Sequence, residues 1–163
     1  MFMNARTLIC LALLLVLAGC TAAPERPKTV RQALLGLGER AAEQVAASPA
    51  LPKPTTDQVL LLAMPKVDPE LGLSDERLME SLTRALLGLD DSPQVLDWRP
   101  ALGDGAGDNQ WRLESRLNAS APRLQLSDRE LLPYRLTLTL RRPGGEQPLW
   151  QAHIDGALDA TAL

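Results

Sequence analysis

The chain has 163 residues, 17 Lys+Arg against 20 Asp+Glu, one histidine and two cysteines. A net charge of −3 without a basic stripe argues against a nucleic-acid partner, and a single histidine argues against a histidine-rich metal site. The length suits one ordinary domain, and a leucine-dominated, aromatic-poor composition predicts a thin aliphatic core with no cofactor.

The apolar run from Leu8 to Ala18 is about half the ~20 residues that a helix needs to cross a bilayer. One positive side chain, Arg6, precedes it and small residues follow, which is the pattern of a secretory signal. Leu17-Ala18-Gly19-Cys20 resembles a bacterial lipobox. That resemblance implies cleavage before Cys20, a diacylglycerol on its sulfur and acylation of the new amino terminus, palmitate included. Three acyl chains exceed the two signals that stable anchoring takes. Thr21 stands where an aspartate commonly retains lipoproteins in the inner membrane, so the resemblance implies the outer membrane, facing the periplasm. Residues 1–19 carry Arg6 as their one charge, so 144 residues remain, with 16 Lys+Arg against 20 Asp+Glu. Cys10 leaves with the signal and Cys20 carries lipid, so no thiol is left for a disulfide, a metal or a nucleophile.

Residues 20–28 read as a lipidated tether, their two prolines giving extended chain. Residues 29–57 read as an amphipathic helix and a proline-rich connector. Thr29-Val30-Arg31-Gln32 has the form of a capping box, and Val30, Leu34, Leu37, Ala41 and Val45 recur at helical spacing. The spacing predicts a helix over 30–48 that docks on the rest of the domain. Gly36 and Gly38 weaken it by roughly 1 kcal/mol each relative to alanine, so it needs a packing partner.

Residues 58–163 are expected to form the α+β domain proper. "VLLLAM", 59–64, is a continuous apolar run closed by Pro65, which suits a strand covered on both faces. Ser74 is a good N-cap, with Asp75 and Glu76 placed to complement the helix dipole. Leu78, Met79, Leu82, Ala85, Leu86 and Leu89 form a core stripe, and Gly88 or Asp90-Asp91 ends the helix. "QVLDW", 94–98, with Leu96 and Trp98 on one face, completes a βαβ unit of right-handed crossover. The glycines of "ALGDGAGDNQ", 101–110, lack the spacing and the following helix of a phosphate-binding fingerprint.

The last third is β-rich. Trp111, Leu113 and Leu117 alternate with Arg112, Glu114 and Arg116, as in a strand with one wet face. Leu132, Tyr134, Leu136, Leu138 and Leu140 alternate with Pro133, Arg135, Thr137, Thr139 and Arg141, the clearest period-two signal in the chain. "RPGGEQ" makes a hairpin turn, after which Trp150, Ala152 and Ile154 return along the apolar face. His153 points to the polar face as a solvated strand histidine, and residues 156–163 read as a frayed tail. "ALLGL" occurs at 33–37 and again at 85–89, but nothing around the copies matches, so they are two leucine-rich helix faces and not a repeat.

The resulting expectation is an α+β fold: a mixed four- to five-stranded sheet with helices packed mainly on one face. The segments "VLLLAMPKVDPELGLSDERLMESLTRALL", "QVLDW" and "YRLTLTLRRPGGEQPLW" resemble the Lpo-type (LpoB) outer-membrane lipoproteins, which share a fold with the amino-terminal domain of TolB. The resemblance covers roughly residues 30–155, through element order and residue character, including Trp150 at the head of the last strand. It implies a non-enzymatic protein that binds and activates a class A penicillin-binding protein and so acts in peptidoglycan synthesis and cell shape. The polar face and rim of the sheet would make the contact, with Arg135, Arg141 and Arg142 as candidates, since arginine is enriched in interfaces.

Two departures from that family stand out. Val67-Asp68-Pro69-Glu70 replaces its asparagine-threonine loop. Its long tether is here eight residues, 21–28, spanning at most ~29 Å; with the first helix undocked, residues 21–57 would reach ~95 Å. A non-catalytic adaptor in envelope assembly or secretion, like the domains of TolB or the curli-secretion lipoprotein CsgG, is the alternative. A hydrolase is disfavoured: Asp68, Glu70, Asp104 and Asp108 lie in loops, with no histidine, cysteine or nucleophile elbow beside them. No small-molecule substrate is evident.

Overall fold

The computed structural model describes residues 29–102 and 107–162. The leader, Cys20, the tether and Asp104 lie outside the described residues. The described elements are helices α1 (Val30–Ala46) and α2 (Asp75–Leu87) and strands β1 (Val59–Leu62), β2 (Lys66–Val67), β3 (Gln94–Asp97), β4 (Gln110–Ala119), β5 (Leu124–Gln125), β6 (Glu130–Arg141) and β7 (Trp150–Asp159). Among them, no helix is long and apolar enough to cross a membrane.

The fold is α+β around one mixed sheet. β3 and β4 both pair parallel with β1, β6 runs antiparallel to β4, and β7 runs antiparallel to β6. Five strands of four or more residues carry the sheet. The two-residue strands β2, parallel to β4, and β5, antiparallel to β6, lengthen it to seven; two residues are too few for a periodicity to be read from sequence.

Both helices feed one core. Leu34, Leu37, Ala41 and Val45 from α1, with Leu78, Leu82 and Leu86 from α2, join Leu60, Leu62, Leu113, Leu117, Leu136, Leu138 and Leu140 from the sheet in a single cluster. Both helices therefore cover the same sheet face. The opposite face carries the alternate residues, and there Leu61 is also buried, 1% exposed, in register with Leu96 and Arg112. The continuous run of β1 is thus covered on both sides.

Local chemistry fixes the helix ends. The Thr29 hydroxyl accepts from the Gln32 N–H at 3.2 Å, and the Ser74 hydroxyl accepts from the Arg77 N–H at 3.3 Å, each satisfying a free first-turn donor. α2 stops at Gly88, whose N–H bonds back to Arg84 and Ala85. The two helices approach closely at Gly38: a Cβ there would stand 2.5 Å from Ser81 Oγ and 2.7 Å from the Ser81 carbonyl oxygen. Ser81 Oγ uses that proximity to donate to the Leu34 carbonyl at 2.5 Å. The glycine that weakens α1 in isolation is what lets it dock.

The expected frayed tail, 156–163, is ordered over its described part, residues 156–162. β7 continues to Asp159, paired to Leu131, and Leu158 is 2% exposed in the core. Gly156 masks the strand signal, because it breaks the apolar alternation while lying opposite Tyr134. The hairpin connection is also longer than a tight turn, running from Arg142 to Leu149 with a Gly145 N–H to Arg142 carbonyl bond of 3.0 Å.

Pro133 sits inside the long strand β6 without breaking it. Its carbonyl accepts from the Ser120 N–H at 3.0 Å, so odd-numbered residues of β6 direct their backbone groups toward β4. The Pro133 nitrogen falls just past the last β4 partner, Ala119 opposite Tyr134, where the missing donor costs little. Even-numbered residues of β6 face β7 instead, as the Leu149 N–H to Leu140 carbonyl bond of 2.9 Å confirms.

Candidate partner-binding face

Among the described residues, alternation along β4, β6 and β7 leaves one sheet face bare of helices. On it stand Arg112, Glu114 and Arg116 from β4, Arg135, Thr137, Thr139 and Arg141 from β6, and Gln151, His153 and Asp155 from β7, brought side by side by the strand register. Lys66 of β2 lies beside Arg116. With Asp159 at the end of β7, the face has five cations (Lys66, Arg112, Arg116, Arg135, Arg141) against three carboxylates (Glu114, Asp155, Asp159), whereas the chain as a whole has an excess of acid.

Glu114 organises its centre. Its Oε1 is 2.8 Å from Arg112 Nη2, and its Oε2 accepts from Arg141 Nε at 3.1 Å. One carboxylate thus bridges two guanidiniums, whose side chains are only 12% and 19% exposed. The Arg112 guanidinium also stacks over Trp98, 5.2 Å from the ring centre, and Arg112 Nη1 donates to the Pro143 carbonyl at 3.3 Å. Arg141 donates in addition to the Glu146 carbonyl of the hairpin loop. A shallow groove of about 380 Å³ runs beside this cluster, lined by Lys66, Glu114, Arg116, Thr139, Arg141 and Gln151 among others.

Arg135 meets Asp155 across β6 and β7 in a two-point bridge, 2.7 Å from Nε to Oδ1 and 3.1 Å from Nη2 to Oδ2. Hydrogen bonding from Arg135 holds the Asp155 carboxyl below its ordinary value, and the same bond raises the Arg135 guanidinium. His153 is exposed, its Nδ1 lying 3.1 Å from Thr137 Oγ1.

The three arginines singled out from sequence do not share one surface. Arg135 and Arg141 lie on the bare face. Arg142, one residue on, turns to the opposite side, where its guanidinium stacks on Trp111 at 3.8 Å from the ring centre and donates to the Asp108 and Gln110 carbonyls. Trp111 is a core residue whose Nε1 donates to Gln58 Oε1 at 2.9 Å, so Arg142 closes the core's edge. Sequence reading recognised Arg112, Glu114 and Arg116 as a wet strand face but not as neighbours of Arg141, because alternation gives a face and not the register between strands. Arg116 and Lys66 are exposed and, among the described residues, have no ion pair.

Asp68, one of the loop carboxylates, has a structural duty. Its Oδ1 accepts from the Glu70 N–H at 3.0 Å and its Oδ2 from the Ala119 N–H at 3.3 Å, tying the loop after β2 to the end of β4. Among the described residues no group of three or more His, Cys, Asp or Glu side chains could hold a metal ion.

Fold and face together define a small α+β domain with one helix-covered and one open, charged sheet face. No family model matches the chain, and no curated protein matches it. Solved structures do. The C-terminal domain of LpoB from Escherichia coli is 13% identical over 77% of this chain and 97% of its own, with a TM-score of 0.48. Its counterpart from Salmonella enterica is 14% identical with the same coverage and a TM-score of 0.43. Lipoprotein GNA1162 from Neisseria meningitidis is 12% identical over 64% of this chain and 85% of its own, with a TM-score of 0.45. No residue role is carried over from them.

Proposed function

We propose that this chain is an outer-membrane lipoprotein, anchored through Cys20 and facing the periplasm, that binds a class A penicillin-binding protein and activates it. The observation that supports this reading best is the open sheet face, a fixed array of charges over which no helix packs among the described residues. Leu17-Ala18-Gly19-Cys20 supports the anchor, and the resemblance in element order to the Lpo-type activators supports the partner. Activation then means tighter binding to the active conformation of the synthase than to the inactive one. Glu114 and Asp155 hold Arg112, Arg141 and Arg135 in set positions, so little side-chain freedom is lost on contact. Arg116 and Lys66 supply the unpaired charge, which fits a partner surface that is acidic on balance.

The test is a pull-down from solubilised envelope with the processed chain, followed by glycan-polymerisation assays on any synthase retained. A recovered penicillin-binding protein whose rate rises with added chain, and no longer rises with Lys66→Glu/Arg116→Glu, is the expected result. Retention of secretion or Tol-type components in place of a synthase would overturn the activator reading in favour of an adaptor in envelope assembly.

A further inference from the structure

Among the described residues, β7 is the outer strand of the sheet and is open along its whole length. Even-numbered residues of β6 bond toward β7, so on β7 the partners of the odd ones (Gln151, His153, Asp155, Ala157 and Asp159) direct their N–H and C=O groups outward. Among the described residues no backbone bond from any other element reaches them. A ten-residue edge of this kind is a template for a further strand, and proteins that keep such an edge free usually blunt it with lysine, proline or a bulge. Trp150–Asp159 contains neither lysine nor proline.

We propose that the partner of this edge is the β7 strand of a second copy, joined antiparallel about a two-fold axis through Ile154. A two-fold antiparallel pairing keeps each side chain opposite one on the same sheet face, so only a few registers exist. With Ile154 at the axis, His153 lies opposite Asp155 of the other copy, Gln151 opposite Ala157, Ala152 opposite Gly156 and Trp150 opposite Leu158. His153 and Asp155 are complementary in charge, Trp150 and Leu158 are both apolar, Ala152 and Gly156 are both small, Gln151 and Ala157 do not clash, and nine of the ten residues take part. The outward groups of His153 and Asp155, and of Gln151 and Ala157, then form about eight inter-chain hydrogen bonds. A shift of the axis to Asp155 would set two aspartates directly opposite, which is unfavourable. A shift to His153 would pair fewer residues and lose the histidine–aspartate match.

The side chains are ready for that register. His153 Nδ1 is engaged by Thr137, which leaves Nε2 for the other copy. Asp155 accepts two bonds from Arg135, and a carboxylate has lone pairs for more. The proposal does not depend on the activator reading; it joins two seven-stranded sheets into one and makes their bare faces continuous.

Sedimentation equilibrium on the processed chain carrying Cys20→Ser, from micromolar to millimolar, tests association. A dimer is expected, weakened by about tenfold or more in His153→Asp, which sets like charges opposite one another twice, and retained in His153→Lys. Both substitutions are at an exposed position and leave the core alone. Register is tested by disulfide formation: Ile154→Cys, at the axis and in a narrow non-hydrogen-bonded pair, should cross-link two chains, and Gln151→Cys, about six residues from its own copy, should not. A chain that stays monomeric throughout would overturn the proposal. So would a dimer indifferent to His153→Asp, or one that cross-links through residue 151 and not 154.

Discussion

The ring of Tyr134 lies against the backbone of Gly156, its cross-strand partner, so closely that a Cβ at 156 would stand 2.5 Å from the phenol oxygen. The glycine leaves a slot through which the side chain crosses β7 and reaches α1, where Arg40 Nη2 donates to the phenol oxygen at 2.8 Å. Gly156→Ala should force the ring out of the slot and lower stability by ~1–3 kcal/mol. Tyr134→Phe keeps the ring and loses only the bond to Arg40, at about 0.5–1.5 kcal/mol. Urea unfolding of the two variants checks the order; equal losses would mean that the slot itself contributes nothing.

Two glycines in α1 should respond with opposite sign. Nothing lies within 4 Å of a Cβ at Gly36, so Gly36→Ala should stabilise by up to ~1 kcal/mol through helix propensity alone. At Gly38 the same change meets the Ser81 backbone and should destabilise by ~1–3 kcal/mol, prising the helices apart. Thermal unfolding midpoints that move in the same direction for both would refute the close approach.

Among the described residues, Glu114 is the one counter-charge shared by Arg112 and Arg141. Glu114→Gln should leave two adjacent, mostly buried guanidiniums without an anion and cost ~1–3 kcal/mol. The loss should shrink in Glu114→Gln/Arg141→Gln, where the repulsion is gone. A double-mutant cycle measures that coupling, and strict additivity would show that the bridge carries no energy.

The Arg135–Asp155 pair gives a signed pH prediction. The Asp155 carboxyl titrates below its ordinary value because Arg135 bonds to its charged form. Its contribution to stability is therefore present above the unfolded carboxyl value, about 3.9, and is lost as the pH falls through the lower folded value. A carboxyl titration followed by NMR should show the depressed midpoint, and Arg135→Gln should move it upward. An unchanged midpoint in that variant would assign the shift to something other than Arg135.

Arg142 should behave unlike its neighbour. Arg142→Ala removes the stacking on Trp111 and should cost ~0.5–1 kcal/mol, while leaving capture of a partner by the bare face unchanged. Binding loss without a stability loss would place Arg142 in the interface after all.

The elements whose pattern repeats several times were legible in sequence. The α2 stripe from Leu78 to Leu86, the β6 alternation from Leu132 to Leu140 and both N-caps stand where spacing puts them. Positions decided by one tertiary contact were not. Gly156 reads as a strand breaker until Tyr134 is seen to fill the space over it. The repeated "ALLGL" shows the same limit: Gly36 stays helical because Gly-Glu-Arg-Ala-Ala follows Leu37, whereas Gly88 ends α2 ahead of Asp90, Asp91 and Pro93. On the bare face, alternation assigned Arg135 and Arg141 to one side, but their partners Asp155 and Glu114 depend on register between strands far apart in sequence. Arg142 lies on the opposite face from Arg141, as continued alternation from Leu138 and Leu140 requires.

α1 is fastened to the rest of the domain at two points: by Ser81, which bonds the Leu34 carbonyl and lies against Gly38, and by Tyr134, which accepts from Arg40. Its leucines are also core residues, so it cannot be paid out as slack without dissolving the fold. A load applied through the chain at Thr29 falls on this helix first, and the domain would give way as a whole before the leash lengthened. If Cys20 carries lipid, the eight residues 21–28 can span at most ~29 Å between it and Thr29. On the proposed reading, a partner of the domain would then have to come within that reach of the anchor.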